Sequence, residues 1–250
     1  MNVALAAAFA APGLAVGSFL NVVAARLPLH RSLVKPRSAC MSCGTEIASR
    51  DNIPVLSYLF LRGRCRHCKV RISARYPSIE LLTGLLVAGC ALRFGLTPYA
   101  LLASGFCVVL VVISAIDLEH RIIPNRIVVP AAAILLVAQE IRVPSIEWPL
   151  AALAAALFLF IAAVAYPRGM GMGDVKLALL LGAMLGRTVA IAMMAGLLAA
   201  LVPSLVLIAK HGRSAKGIGI PLAPFLALGA VLALFAGQSI LDWYLALSPR

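Results

Sequence analysis

The chain has 250 residues, of which 62% are hydrophobic and 12% are charged, with a mean hydropathy of +1.01 and a formal net charge of +13. A soluble domain of this length cannot bury so much apolar surface, which excludes the ordinary soluble classes. The apolar runs are continuous rather than alternating, as expected of membrane helices and not of membrane strands. We therefore predict an all-α polytopic membrane protein.

Eight apolar segments predict about eight transmembrane helices, most of them close to the roughly 17–25 residues that cross about 30 Å of hydrocarbon. The first lacks a basic start and a small-residue cleavage site, so we expect it to be retained rather than removed as a signal peptide. Cys90 and Cys107 fall within the second and third spans, where buried free thiols are expected. The predicted spans are 2–25, 78–96, 98–117, 127–142, 148–166, 175–188, 189–209 and 221–246.

Basic residues are distributed unevenly between the two sides of the predicted membrane. Eighteen of the 22 Lys and Arg residues lie in or beside the loops of one side, eleven of them in loop 26–77. The positive-inside bias then predicts that both termini lie outside and that loop 26–77 lies in the cytoplasm. Because topology and anionic lipid account for the charge, membrane lipid is the expected partner and nucleic acid is not. The other side carries Arg93, Arg142, Arg187 and Arg250.

Loop 26–77 contains two C-x-x-C pairs, separated by 21 residues: Cys40 with Cys43, and Cys65 with Cys68. Four thiolates at this spacing are typical of zinc ribbons and knuckles, and a closed four-sulfur shell predicts a structural ion. A cytoplasmic location disfavours disulfides, although redox dithiols are the alternative. Because so short a loop buries little core, we expect zinc to supply much of its folding free energy.

Two of the nine acidic residues, Asp117 and Asp174, are predicted at the cytoplasmic boundary of the membrane. Ionisable groups at this depth are expensive and indicate function. Two carboxyls about 3 Å apart share one proton, so the ionised one deprotonates water while the protonated one polarises a peptide carbonyl. This is aspartic-protease chemistry. The alternative pairs Asp117 with Arg121 and Asp174 with Lys176 as interfacial anchors.

Three alternating glycines, Gly169, Gly171 and Gly173, precede Asp174 in GMGMGD. Glycine permits a positive φ and a close backbone approach, so an extended substrate segment could lie against this loop. The alternative is an ordinary loop before a helix. The pattern is not a dinucleotide fingerprint, and the chain has neither H-E-x-x-H nor G-x-S-x-G, which disfavours zinc-protease and serine-hydrolase chemistry.

A set of motifs follows in order along nearly the whole chain: GSFLNVVAARLP (17–28), the two C-x-x-C pairs, IPVLSYLFLRGRCRHC (53–68), ARYPSIELLTG (74–84), DLEHRIIPN (117–125), GMGDVKL (171–177) and IPLAPFLALGA (220–230). Together these motifs resemble the bacterial prepilin peptidases, which are membrane aspartic proteases of the GxGD type. The chain departs from that family's pattern at 222–225, where LAPF stands in place of the common FGPF.

The resemblance implies that Asp117 and Asp174 are the catalytic pair of an enzyme in the bacterial inner membrane. It implies as substrates type IV prepilins or type II secretion pseudopilins, whose leader is cut on the cytoplasmic side. It also implies a second activity, S-adenosylmethionine-dependent N-methylation of the newly exposed residue. Glu80, near the cysteine module, is a candidate for binding that cofactor. An acid favoured by the helix dipole at the start of a span is the alternative.

These predictions divide the chain into a first transmembrane helix (1–25), a cytoplasmic zinc module associated with methyl transfer (26–77) and a transmembrane aspartic peptidase domain (78–250). Competing functions are a peptidase without methyl transfer, a transporter that uses the carboxylates as ion relays, and a scaffold built on the zinc knuckles. A transporter would favour paired repeats with broken helices, which the sequence does not show. A scaffold would leave the costly aspartates without a role.

Overall fold

A computed structural model describes residues 3–166, 170–212 and 219–247. Within these ranges the chain forms nine α-helices and two short 3-10 turns, and strand-like pairing is limited to two isolated bridges. The helices are α1 (Val3–Arg26), α2 (Leu56–Phe60), α3 (Arg75–Phe94), α4 (Pro98–His120), α5 (Asn125–Arg142), α6 (Glu147–Ala165), α7 (Met172–Leu185), α8 (Val189–His211) and α9 (Ala223–Leu247).

The eight long helices agree with the eight predicted segments, and every boundary lies within three residues of its prediction. Within the described residues, six segments are long and apolar enough to cross a membrane: Ala7–Arg26, Arg75–Phe94, Pro98–His120, Glu147–Ala165, Met172–Lys210 and Ala223–Leu247. The fifth of these contains both α7 and α8, joined by the turn Gly186–Thr188. The prediction of an all-α polytopic membrane protein is therefore confirmed.

The chain divides into two compact units, residues 1–116 and 117–250. In the first unit, α1 packs closely on α3 through small residues spaced four apart. A Cβ added at Gly13 would lie 3.0 Å from the Cα of Gly84, and one added at Gly17 would lie 2.7 Å from the Cα of Glu80. Such small-xxx-small surfaces let membrane helices approach along their backbones.

In the second unit, α7 is the central helix and packs against α5 and α6. Every residue from Leu180 to Leu185 is buried. Its 14 residues span about 21 Å at 1.5 Å per residue, less than a bilayer requires. Because most of α7 is buried against other helices, it does not need the length of a lipid-exposed span. This buried helix carries Asp174 in its first turn.

Candidate active site

Asp117 lies in the last turn of α4 and is buried, with 6% of its surface exposed. Its Oδ2 accepts a hydrogen bond of 3.1 Å from the backbone N–H of Ala223, the first residue of α9. The unpaired N–H groups at a helix start favour a carboxylate at this point. The segment LAPF therefore has a direct role, because it supplies the donor that holds Asp117.

Asp174 is held by the start of its own helix. Its Oδ2 accepts a hydrogen bond of 3.3 Å from the N–H of Gly171, while its own N–H donates to the Gly171 carbonyl at 3.1 Å. A carboxylate in the first turn satisfies a backbone donor and complements the helix dipole. This explains why α7 begins at Met172, three residues before its predicted start.

The two carboxylates line one cavity of about 440 Å³ in the second unit. The cavity lies where the end of α4, the start of α7 and the segment before α9 meet, so residues 57 apart in sequence share one site. Polar, apolar and glycine residues form the remaining lining: Arg121, Ile122, Ile123, Asn125, Gly171, Gly173, Lys176, Gly219, Ile220, Pro221 and Leu222.

The cations near the cavity do not form the ion pairs of the anchor alternative. Lys176 Nζ donates to Asn125 Oδ1 at 2.8 Å. Among the described residues, no ion pair within 4.0 Å joins Asp117 to Arg121 or Asp174 to Lys176. The carboxylates therefore have backbone N–H donors as partners, and the hydrogen bond between Lys176 and Asn125 ties α7 to the start of α5.

The glycines of the loop differ from one another. Gly169 lies outside the described residues. Gly171 has φ −90° and ψ 153°, and Gly173 belongs to α7, so neither uses the positive φ that glycine permits. At Gly173 the close neighbour is a residue of the protein itself, since an added Cβ would lie 3.0 Å from the Cβ of Ile123, and the approach of a substrate segment to these glycines stays a prediction. At Gly171 the nearest atom would be 3.8 Å away, which leaves room on the cavity side.

Glu80 makes a structural contact. Its Oε2 accepts a hydrogen bond of 2.7 Å from the N–H of Val55, which has φ 59°, a conformation that is costly for a β-branched residue. The carboxylate thereby fixes the entry into α2. A role in binding a methyl donor stays a prediction.

The four cysteine sulfurs come together, all within 4.8 Å of one another. Cys40 Sγ and Cys68 Sγ are 3.7 Å apart, close to the roughly 3.8 Å that tetrahedral Zn–S bonds of about 2.3 Å require. Hydrogen bonding with the side chain and then the backbone of Thr45 lowers the pKa of Cys43 to about 6. A backbone hydrogen bond from Val70 lowers the pKa of Cys68, but desolvation and hydrogen bonds with the other three cysteines raise it to about 11, so the clustering of the sulfurs is what favours a metal. These residues fit a four-coordinate metal ion.

The cysteine pairs are two copies of one backbone turn, 38–47 and 63–72. In each copy the first cysteine donates its N–H to the carbonyl five residues on, at 2.9 Å. The residue after the second cysteine has a positive φ, 69° at Gly44 and 60° at Lys69. A guanidinium within the second copy, that of Arg66, bonds both carboxylate oxygens of Asp51 and so ties this copy to the chain between the two copies.

Several of these contacts were not predicted from the sequence, among them the Ala223 donor, the Lys176–Asn125 pair and the Asp51–Arg66 pair. The positive φ of Lys69 could have been predicted, because Lys69 follows Cys68 in the second pair as Gly44 follows Cys43 in the first. Cys90 and Cys107 are fully buried, as predicted, with their sulfurs 3.9 Å apart.

The chain is similar to proteins of known families. Residues 12–94 match the bacterial peptidase A24 N-terminal domain, and residues 104–209 match the type IV leader peptidase family. The relatives that the chain matches include proteins named prepilin leader peptidase/N-methyltransferase. The Bacillus subtilis protein is 36% identical, with 94% of this chain and 96% of the relative covered. The Burkholderia pseudomallei (strain 1026b) protein is 38% identical, with 90% of this chain and 83% of the relative covered. The Pseudomonas aeruginosa protein is 35% identical, with 93% of this chain and 91% of the relative covered.

No solved structure matches the chain. The family model that covers both cavity aspartates, together with relatives aligned over nearly their full length, shows that the chain belongs to the type IV leader peptidase family.

Proposed function

We propose that this protein is a bifunctional enzyme that cleaves the leaders of type IV prepilins or type II secretion pseudopilins and then methylates the new N terminus. Asp117 and Asp174 are the catalytic pair. The observation that carries this proposal is that these two carboxylates line one cavity although they belong to different helices. Family membership and the names of the relatives support the reaction and the substrate class.

The pair acts as the acid and the base of peptide hydrolysis. The ionised carboxylate takes a proton from water, and the resulting hydroxide attacks the scissile carbonyl carbon, while the protonated carboxyl donates a hydrogen bond to the carbonyl oxygen. As the C–N bond breaks, the carboxyl that took the proton from water gives it to the leaving amine. The N–H groups of Ala223 and Gly171 hold the two carboxylates in fixed orientations, so little reorganisation is needed during the reaction.

The glycines before Asp174 give the substrate access to this pair. Gly171 has free space where a side chain would be, on the wall of the cavity. An extended peptide lying there brings its scissile bond beside Asp174. Gly169 belongs to the same loop by sequence.

The enzyme resides in the bacterial inner membrane with both termini outside and loop 26–77 in the cytoplasm, as the distribution of Lys and Arg indicates. Cleavage therefore takes place at the cytoplasmic surface. Reporter fusions after residues 45 and 145 test this orientation, since the first should be active only as a cytoplasmic reporter and the second only as an external one.

The module at 26–77 holds a structural zinc ion through Cys40, Cys43, Cys65 and Cys68, whose sulfurs are clustered. A closed four-thiolate shell stabilises the fold and leaves no open position for catalysis. S-adenosylmethionine supplies the methyl group of the second reaction, a function that rests on the names of the relatives. The peptidase domain, 78–250, carries the hydrolysis.

Purified full-length enzyme, incubated with a prepilin in detergent, tests both activities by mass spectrometry. Asp117→Asn and Asp174→Asn should each lower cleavage by about 10²–10⁴-fold or more, because each removes one of the two proton-transfer groups. Asp242→Asn is the matched control, since Asp242 is an exposed carboxylate bonded to Gln238 in α9.

The product should gain one methyl group only when S-adenosylmethionine is present. Normal cleavage by either cavity variant would refute the catalytic pair. Cleavage without methylation would identify the enzyme as a peptidase only.

A further inference from the structure

The short helix α2 presents an apolar face to the outside of the cysteine module. Leu56, Leu59 and Phe60 are exposed to 51%, 63% and 84%, whereas Ser57 is buried. Residues at i, i+3 and i+4 lie on one side of a helix, so these three side chains form a single apolar face. We call Leu56, Leu59 and Phe60 the α2 face.

The depth of α2 is set by its contact with α3. Glu80, which accepts the hydrogen bond from Val55 at the entry to α2, lies five residues after the start of α3, about 7.5 Å along the helix axis. α3 is long and apolar enough to cross the membrane, and its exposed aliphatic residues begin directly after Glu80, at Leu81, with the exposed aromatic Tyr76 one turn before Glu80. The start of α2 is thus tethered where the hydrocarbon begins.

The opposite side of α2 is fixed to the second cysteine turn. The hydroxyl of Tyr58 donates to the carbonyl of Ile72 at 3.4 Å, and Gly63 packs directly against the Tyr58 ring. Held at Val55 on one side and at Tyr58 on the other, α2 cannot turn its apolar face inward.

The chain that follows α2 is basic. Arg62 and Arg64 are exposed and flank the buried Gly63. An apolar helical face with arginines beside it is the pattern of segments that lie in the membrane interface, with the apolar side about 5–10 Å into the headgroup and acyl boundary. Each such cation near an anionic leaflet adds electrostatic attraction.

We propose that the α2 face inserts into the bilayer interface beside the start of α3, with Arg62 and Arg64 on the phosphates of anionic lipids. Insertion buries the apolar area that the fold leaves exposed and holds the cysteine module against the membrane surface. A lipid surface fits better than a protein partner, because the tether places α2 at the depth of the hydrocarbon boundary and its flanking charges match lipid phosphate.

Tryptophan quenching by brominated lipids tests this arrangement in the full-length protein. In a background with Trp148→Phe and Trp243→Phe, which removes both native tryptophans, Phe60→Trp places a probe on the α2 face. Met41→Trp is the matched control, because Met41 is 96% exposed on the first cysteine turn. The variants are reconstituted in vesicles of phosphatidylcholine with or without phosphatidylglycerol, with bromines either near the headgroup or near the chain ends.

The probe at position 60 should emit to the blue of the probe at position 41. It should be quenched more strongly by bromines near the headgroup than by bromines near the chain ends, whereas the probe at 41 should not be quenched. Adding Arg62→Gln and Arg64→Gln should reduce the gain in quenching that phosphatidylglycerol produces.

Equal quenching of the two probes, or no quenching of either, would overturn the proposal. A blue shift at position 60 that appears only when a prepilin is added would also overturn it, because the occupant would then be the apolar helix of the substrate. None of these outcomes depends on peptidase activity, and both substituted positions are exposed and outside the catalytic cavity.

Discussion

Replacing Gly173 with alanine tests how closely the site is packed. The new Cβ would lie 3.0 Å from the Cβ of Ile123 and 3.4 Å from its Cγ1 and Cδ1. Carbon atoms prefer separations of about 3.5–4.0 Å, so the start of α7 and the segment carrying Ile123 must separate by about 0.5 Å. Both residues line the cavity, and Asp174 is next to the substitution, so the displacement changes the geometry of the proposed catalytic pair.

Two quantities should change together. Overpacking of this kind costs about 1–3 kcal/mol of the free energy of unfolding, which lowers the midpoint of thermal unfolding by several degrees. A misplacement of about 1 Å at an active site lowers the rate about a hundredfold, so a displacement of about 0.5 Å should lower kcat by about tenfold. Unfolding is followed by circular dichroism in detergent, and kcat is measured by prepilin cleavage under saturating substrate.

Gly171→Ala is the matched control. Its Cβ would have no neighbour closer than 3.8 Å, and its backbone angles suit any residue, so the unfolding midpoint should stay close to that of the parent. If an extended substrate lies against this glycine, KM should rise while the unfolding midpoint does not move.

In an Ile123→Gly background, which lacks the opposing Cβ, Gly173→Ala should cost less stability than it does in the parent, giving a coupling of about 0.5–3 kcal/mol. A Gly173→Ala variant with unchanged kcat and unchanged thermal unfolding would refute the close approach. Equal loss of stability in both single variants would refute the distinction between the two glycines.

Three further predictions concern the cysteine module. Treatment with a chelator should increase amide hydrogen exchange in 38–47 and 63–72 and leave exchange in α7 unchanged. The reason is that this loop has little apolar core, so the proposed metal ion would hold its two cysteine turns together. A change in α7 instead would contradict this prediction. Lys69→Gly should stabilise the module by about 1 kcal/mol, because a φ of 60° is strained for lysine but suits glycine, the residue at the equivalent position 44. Slower amide hydrogen exchange in the module would show this stabilisation, and faster exchange would argue against it. Hydrogen bonds from Arg66 hold the pKa of Asp51 below its usual value, so the pair stabilises the module fully above about pH 4 and less as the pH falls through that lowered pKa. The stability advantage of the parent over Asp51→Asn should therefore be present at neutral pH and vanish in strong acid, and an advantage that persists there would exclude the ion pair as its cause.

Much of the fold follows from local sequence patterns. The apolar segments located all eight long helices to within three residues, because helix-length hydropathy is written in consecutive residues. The cysteine spacing predicted the cluster, since each C-x-x-C pair closes within one short turn. The start of α7 was placed three residues late, because the polar Asp174 interrupts the apolar run although a carboxylate suits the first turn of a helix.

Residue order alone establishes that this chain is helical and apolar and where its helices lie. It also identifies the candidate catalytic and metal-binding residues, which are Asp117, Asp174 and the four cysteines. The contacts between distant residues depend on the tertiary structure. Ala223 reaches Asp117 across 106 residues, Gly173 meets Ile123, and Glu80 holds α2 through Val55. Hydropathy and spacing report on neighbours in the chain, whereas these contacts depend on how helices pack, and backbone N–H donors carry no signature in residue identity.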